Sequence, residues 1–520
     1  MSTSQAVGSR RGLALTAMIF AVAMTFIDQT IVSVAAPKIQ AELGLSSTGV
    51  QWTINAYLLT MAVFFAFGGR LADTVGHRPM VVLGIAVFAI ASALCGLTPK
   101  GGAAEAWLVT FRAVQGFGGA LMYPAALAIV VNSYAIRERG RALALFFGIA
   151  GGLTAVGPAL GGYLVVWTWR SIFWINVPVA VIALVLIAIA KPISQRRPAP
   201  LDYRGLVLIV LGIGLSVFSF QQAARWGWGN PLIGLGIALG FVLLVVFVWV
   251  ERRTPSPLMD VTIFRNRVFL VDNIILALAM IVFVPVFFFA SEYAQVSLGE
   301  KASRASLLLL YFFLGFVVAA QIGGRMLDRV GARRPIVFGC ALACVGFVLW
   351  ANRVTDLAIG QQVWCIVLAG AGMGLMLGQA NTDAINQAPS TSYGEATGST
   401  QTVRNYGASL GLAVLGTILI TVFRAHLVAS FIDQGVPAVP AHREAARLAQ
   451  AGGSGQSGPI PHFVQLDFAH ATQTVLYVMA GVIGVAGLIA LRALPRGRQA
   501  EGTARTERDV LTRQQYRSAG

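Results

Sequence analysis

The sequence predicts an all-α membrane protein that crosses the bilayer about fourteen times. Three observations point there. Only 11% of its 520 residues are charged while 57% are hydrophobic, whereas a soluble globular chain carries roughly 25% charged residues. The hydrophobic residues gather into runs long enough to span, each needing about 20 apolar residues. Glycine is abundant, at 57 residues, as close helix packing in lipid favours.

Taken in order, the apolar runs are 13–36, 50–69, 80–98, 106–131, 141–164, 171–190, 205–223, 232–250, 268–291, 304–323, 335–351, 358–380, 397–421 and 470–491. The first is long enough to span rather than only to target. The stretch 424–469 reads as a loop on the far side, with a short helix over His442–Gln450 and a flexible run Gly452–Pro459. The segment 496–520 reads as a disordered, arginine-rich cytoplasmic tail lying against anionic lipid.

The net charge of +17 raises the question of nucleic acid, and its distribution answers it. Arg10, Arg11, Arg70, Arg78, Arg137, Arg139, Arg141, Lys191, Arg252, Arg253, Arg325 and Arg329 all fall on one side of the spans. The positive-inside rule makes that side cytoplasmic, with both termini there. The charge belongs to a membrane surface. The four cysteines, Cys95, Cys340, Cys344 and Cys365, lie in apolar runs and read as small packing residues.

An internal repeat sets the architecture. Gly69-Arg70-Leu71-Ala72-Asp73-Thr74-Val75-Gly76-His77-Arg78 closes span 2, and Gly324-Arg325-Met326-Leu327-Asp328-Arg329-Val330-Gly331 closes span 10. Matching charged turns at corresponding helix ends indicate duplication. The copies lie eight spans apart rather than six, so two extra helices separate two six-helix halves. The expected division is a first bundle over 1–200, two inserted helices over 201–262, and a second bundle over 263–495. Gly76 and Gly331 suit a tight turn. Asp73 and Asp328 are positioned to accept hydrogen bonds from a neighbouring helix start.

Ionisable groups at membrane depth are costly and mark function. Asp28 lies deep in span 1 and Arg112 in span 4, with Gln115 one turn on. Asn55 and Tyr57 in span 2 are candidate cavity residues. Span 5 carries Gly148, Gly152, Gly157-Pro158 and Gly161-Gly162. Here Pro158 can kink the helix, and glycines four apart offer a smooth face to a helix of the other half. In the second half Asp272 and Arg404 are candidates near the inner interface, where snorkelling or capping is cheap. Phe287-Phe288-Phe289 and Tyr311-Phe312-Phe313 read as lipid-facing packing.

These motifs resemble the major facilitator superfamily, in its fourteen-spanning drug:proton antiporter branch. The likeness rests on Asp28-Gln29-Thr30-Ile31-Val32, on the Gly69–Arg78 turn, on Arg112 to Gly119, and most specifically on the span-5 glycines and Pro158. It extends to Trp52-Thr53-Ile54-Asn55-Ala56-Tyr57 and to Trp169–Pro178. Thr74 and His77 depart from the basic residues usual in the turn. The resemblance implies a proton-coupled exporter of small lipophilic, cationic or amphiphilic drugs that works as a monomer by alternating access among membrane lipids. It implies Asp28 as the coupling acid, Arg112 as its helper in proton transfer, the Asp73 turn with Asp328 as a conformational latch, and span 5 as the hinge. An exporter of an endogenous lipid or secondary metabolite is the alternative. A membrane-embedded enzyme is remote. There is no phosphate-binding loop, and no cofactor is expected beyond the proton gradient. Four of the five histidines surround the 424–469 stretch and could form a metal cluster, but no carboxylate spacing supports one, so no metal is expected.

Overall fold

The structure is a computed structural model and describes residues 3–134, 136–192, 200–387, 393–452 and 460–497, with Ser194 and Arg196. The regular structure in these segments is helical. The first six spans are α1 (Thr3–Leu43), α2 (Ser47–Val75), α3 (His77–Gly96), α4 (Ala104–Ser133), α5 (Ile136–Trp167) and the pair α6 (Ser171–Trp174) and α7 (Asn176–Ala190). Two inserted helices follow, α8 (Tyr203–Trp226) and α9 (Pro231–Glu251). The second half comprises α10 (Arg267–Val296), α11 (Ala302–Val330), α12 (Arg333–Val354), α13 (Ile359–Asn386), α14 (Tyr393–Asp433) and α16 (His462–Ala493), with the short α15 (Ala438–Gln450) before the last. Among the described residues, 13 helices are long and apolar enough to cross a membrane, and the apolar Gly152–Trp167 stretch of α5 adds the fourteenth.

The helices begin and end where local chemistry dictates. Ser46 caps α2 by accepting from the Gly49 amide at 2.9 Å, Asn230 caps α9 with Pro231 in its first turn, and Asn266 caps α10. Such caps meet amides that a helix leaves unsatisfied. Gly76 (φ +115°) and Gly331 (φ +83°) stop α2 and α11 in a backbone conformation that favours glycine.

The expected far-side loop 424–469 is largely helix instead. The last three turns or so of α14, all of α15 from Ala438 rather than His442, and the first two turns of α16 lie within it. Ring contacts explain the extension. Phe423 packs on Phe468 at 5.1 Å and Phe431 on Phe463 at 5.6 Å, so α14 and α16 hold each other beyond their apolar length. The flexible run falls mostly at 453–459, and the tail mostly at 498–520, both outside the described residues.

The two inserted helices differ in place. α9 is the most exposed span, but α8 lies along the seam between α2 and α14. Ser216 bonds Tyr406 at 3.0 Å, and Thr417 donates to the Phe220 carbonyl at 2.7 Å. The four cysteines are unpaired thiols in the packing, as their apolar context implied.

Candidate functional site

α1, α2 and α4 converge in the first half on one closed polar cluster. Arg112 reaches Asp28 Oδ2 through Nη1 at 2.6 Å and donates from Nε to the Thr53 carbonyl at 2.8 Å. Nη1 also meets Gln115 Oε1 at 2.7 Å, and Gln115 Nε2 donates to Asp28 Oδ1 at 3.0 Å. Asp28, Arg112 and Gln115 are each 0% exposed. The Tyr57 ring lies 4.5 Å under the guanidinium, and its hydroxyl donates to the Thr25 carbonyl. Arg112 Nη2 has no partner among the described residues.

The helices can come this close because glycines line α4. A Cβ at Gly116 would lie 2.5 Å from the Tyr57 carbonyl, and one at Gly118 would lie 2.6 Å from the Phe88 amide. Asn55 and Tyr57 are both buried and hydrogen-bonded. Tyr57 supports Arg112, and Asn55 is buried at a three-way junction. Asn55 Nδ2 donates to Gln221 of α8, and Oδ1 accepts from Ser409 of α14, each at 2.5 Å. A single amide thus joins the first half, an inserted helix and the second half.

The glycines of α5 divide into three groups. Gly157 and Gly161 abut α1 of their own half; a Cβ at Gly157 would lie 2.0 Å from Thr30 Oγ1 and 3.0 Å from the Ile27 carbonyl. Thr30 Oγ1 also donates to the Thr154 carbonyl. Among the described glycines of α5, only Gly162 faces the other half, where its Cβ would meet Ser306 Oγ at 2.3 Å. Gly148 and Gly152 have open space. The expectation of one glycine face against the other half is corrected accordingly. Pro158 sits inside a helix that continues through it.

In the turn after α2, Asp73 pairs with His77 Nε2 at 3.1 Å and caps no neighbouring helix among the described contacts. His77, the departure from the usual pattern, therefore supplies the partner. The Arg78 amide donates to Ser194 Oγ, and a Cβ at Gly76 would lie 2.8 Å from that oxygen. The tight helix approach falls at Gly68 rather than Gly69. A Cβ at Gly68 would be 2.2 Å from the Ala120 carbonyl, while one at Gly69 meets only Pro124, at 3.6 Å. The second copy repeats this: Gly323 would strike Gln379 at 2.4 Å, and Gly324 has open space. Asp328 is exposed at the matching turn.

Asp272 and Arg404 do not snorkel. Asp272 is 0% exposed and faces Asp383 of α13, a carboxylate that sequence reasoning passed over. Arg404 donates to Asn381 at 3.3 Å and Gln401 at 2.9 Å, and Gln401 donates to the Tyr123 hydroxyl of the first half at 2.7 Å. The phenylalanine runs are buried rather than lipid-facing. Phe287 stacks on Phe313 at 4.9 Å and meets Phe312 edge-on at 5.6 Å.

The Major Facilitator Superfamily sequence profile matches residues 18–412 of this helical chain. The chain belongs to that superfamily. Among superfamily members it is similar to multidrug resistance protein Stp of Mycobacterium tuberculosis (strain CDC 1551 / Oshkosh), at 29% identity over 511 residues, covering 93% of this chain and 92% of that one. It is also similar to the tetracenomycin C resistance and export protein of Streptomyces glaucescens, at 32% identity over 478 residues, covering 91% and 87%. In fold it is similar to an auto-inhibited peptide transporter of the POT family, with a TM-score of 0.59 at 16% identity, covering 94% and 99%. This superfamily member is a multi-pass membrane transporter related to drug and antibiotic exporters, not an enzyme.

Proposed function

We propose that this transporter is a proton-coupled exporter that moves small lipophilic, cationic or amphiphilic compounds out across the cytoplasmic membrane by alternating access. The reading is carried by the Asp28–Arg112–Gln115 cluster, an ion pair closed to solvent at membrane depth. With Asp28 ionised, the pair is neutral overall. A proton on Asp28 dissolves the pair and leaves the arginine's charge uncompensated, which repels a cationic cargo. Proton and cargo then exclude each other, as exchange in opposite directions requires.

The drug-resistance names of the relatives support an exported cargo. The one-sided arginines support an orientation with both termini cytoplasmic, which makes the arginine-rich end of the bundle the inner one. In that frame Gly69, Asp73, Gly76, Arg78 and Asp328 form the inner latch. Gly148, Gly152, Gly157, Pro158, Gly161 and Gly162 form the hinge, and Asp272 with Arg404 serves the second half. Residues 1–200 and 263–495 rock as two bodies, with 201–262 between them, and one chain suffices.

The test is substrate efflux into energised inverted vesicles with a dye panel, with and without an imposed proton gradient. Asp28→Asn keeps the shape and removes the titrating group, so gradient-driven transport is expected to fall at least about tenfold. Undiminished transport removes Asp28 from coupling. The relative named for tetracenomycin C export favours a second reading, a single secondary metabolite as cargo. Correctly inserted wild-type protein that moves no dye would select it.

A further inference from the structure

At the end of the bundle opposite the arginine-rich turns, His426 of α14 meets Asp467 and His470 of α16. One ligand atom from each residue lies within 4.8 Å of the other two. The two imidazoles stack with centroids 5.2 Å apart and planes at 22°. Asp467 is 6% exposed. Ser430 stands within hydrogen-bonding reach of its carboxylate, yet the buried Oδ2 has no partner among the described residues. His470 Nδ1 lies 3.0 Å from the Leu466 carbonyl. A carbonyl only accepts, so Nδ1 is the donor of this bond, which leaves Nε2 as the nitrogen available to a metal.

We propose that His426, Asp467 and His470 bind one divalent transition-metal ion, with zinc the best fit. Two imidazole nitrogens and one carboxylate oxygen are a borderline-soft set that zinc accepts, with the fourth tetrahedral position left to water. The buried, unpartnered Oδ2 is the group a cation would satisfy. The Nδ1 bond to a backbone carbonyl is the outer support that orients a histidine ligand. Zinc bonds of about 2.0–2.1 Å place tetrahedral ligand atoms about 3.4 Å apart, so side-chain rotation must draw the trio inward by up to about 1.5 Å. The carboxylate escapes a sequence reading of histidines alone because it sits three residues before His470, on the same helix face only once α16 starts at His462. The bound ion ties α14 to α16 beyond the apolar length of either helix, and so stiffens the end at which α14 also meets the first half.

The experiment uses full-length protein purified in detergent without a polyhistidine tag, stripped with EDTA and dialysed against zinc chloride. Wild type is expected to retain one zinc per chain by elemental analysis and to gain roughly 2–5 °C in unfolding midpoint at saturating zinc. His426→Ala/His470→Ala is expected to lose at least about 100-fold in zinc affinity, more than an outer-shell change would cost. Asp467→Asn, close in shape, tests the carboxylate without emptying the site, and is expected to bind cobalt(II) without the visible band of the wild-type complex. His442→Ala and His462→Ala, at exposed histidines outside the trio, should bind as wild type. A wild-type chain that stays zinc-free, or equal retention by the trio variants, overturns the proposal, as does loss of zinc in the His442 and His462 variants alone.

Discussion

Asp28 and Arg112 are each fully enclosed, and either charge left there without the other is costly. Removing one partner of a buried pair costs about 3–5 kcal/mol, because it strands the other charge. Replacing both by apolar groups of similar volume is far milder. Arg112→Ala is therefore expected to lower the unfolding midpoint in detergent sharply and to reduce the monodisperse yield. Asp28→Leu/Arg112→Met is expected to recover most of that loss while remaining inactive in efflux. A double variant as unstable as the single would show that the pair is not the unit of stability. Asp28, Arg112 and Gln115 were legible in the sequence because charge at membrane depth is rare enough to stand out. Asn55 was legible as a polar residue in a span but not as a junction, since Gln221 and Ser409 lie 166 and 354 residues away along the chain.

At the scale of the helix, α5 shows how one motif serves several contacts. Gly157→Ala would drive a methyl group into Thr30 and the Ile27 carbonyl, and overpacking of this kind costs about 1–3 kcal/mol. Gly148→Ala enters open space and removes a helix glycine, which is worth roughly 0.5–1 kcal/mol in the stabilising direction. Thermal unfolding of the two variants should move in opposite directions from wild type; equal shifts would show that the α1–α5 contact is not tight. The glycine pattern displayed the means for close approach. It did not display the direction, because a run such as Gly157-Pro158-Ala159-Leu160-Gly161-Gly162 turns glycines toward two different neighbours. The step from Gly69 to Gly68 has the same cause. Both residues are small, and only the rotation of α2 about its axis decides which one meets Ala120. α14 and α16 run longer than their apolar spans because the last turns of α14 and the first turns of α16 are polar enough to leave lipid, yet they are held by aromatic contacts with each other.

Across the whole molecule, the two halves touch firmly at the end opposite the arginine-rich turns. Gln295 donates to the Val34 carbonyl at 3.3 Å, a Cβ at Gly416 would lie 2.4 Å from Gln51 Oε1, and one at Gly162 would lie 2.8 Å from Ser306 Cβ. In the proposed orientation this is a state closed to the outside. Gly162→Cys/Ser306→Cys needs to relax by only about 1 Å to reach the usual disulfide Cβ separation of about 3.8 Å. Oxidation of this pair is expected to stop efflux, and reduction to restore it. Full transport with the cross-link formed would exclude rocking at this contact.

Hydropathy and charge by themselves determined that this chain is helical, crosses the membrane fourteen times, is duplicated around two inserted helices, and carries an acid and a base at membrane depth. The spans and the cost of their charges follow from the transfer of each segment from water into lipid, a property of the segment alone; the duplication follows from the repeated turns at Gly69–Arg78 and Gly324–Gly331. Tertiary structure alone decided that Asp28 and Arg112 close on each other, that α8 lies in the seam, that the phenylalanines of α10 and α11 face inward, and that His426 finds Asp467 and His470. Lipid tails and a helix bundle interior are about equally apolar, so composition says that a face leaves water and not which partner receives it. That choice is made by shape and hydrogen bonding between residues far apart in the chain.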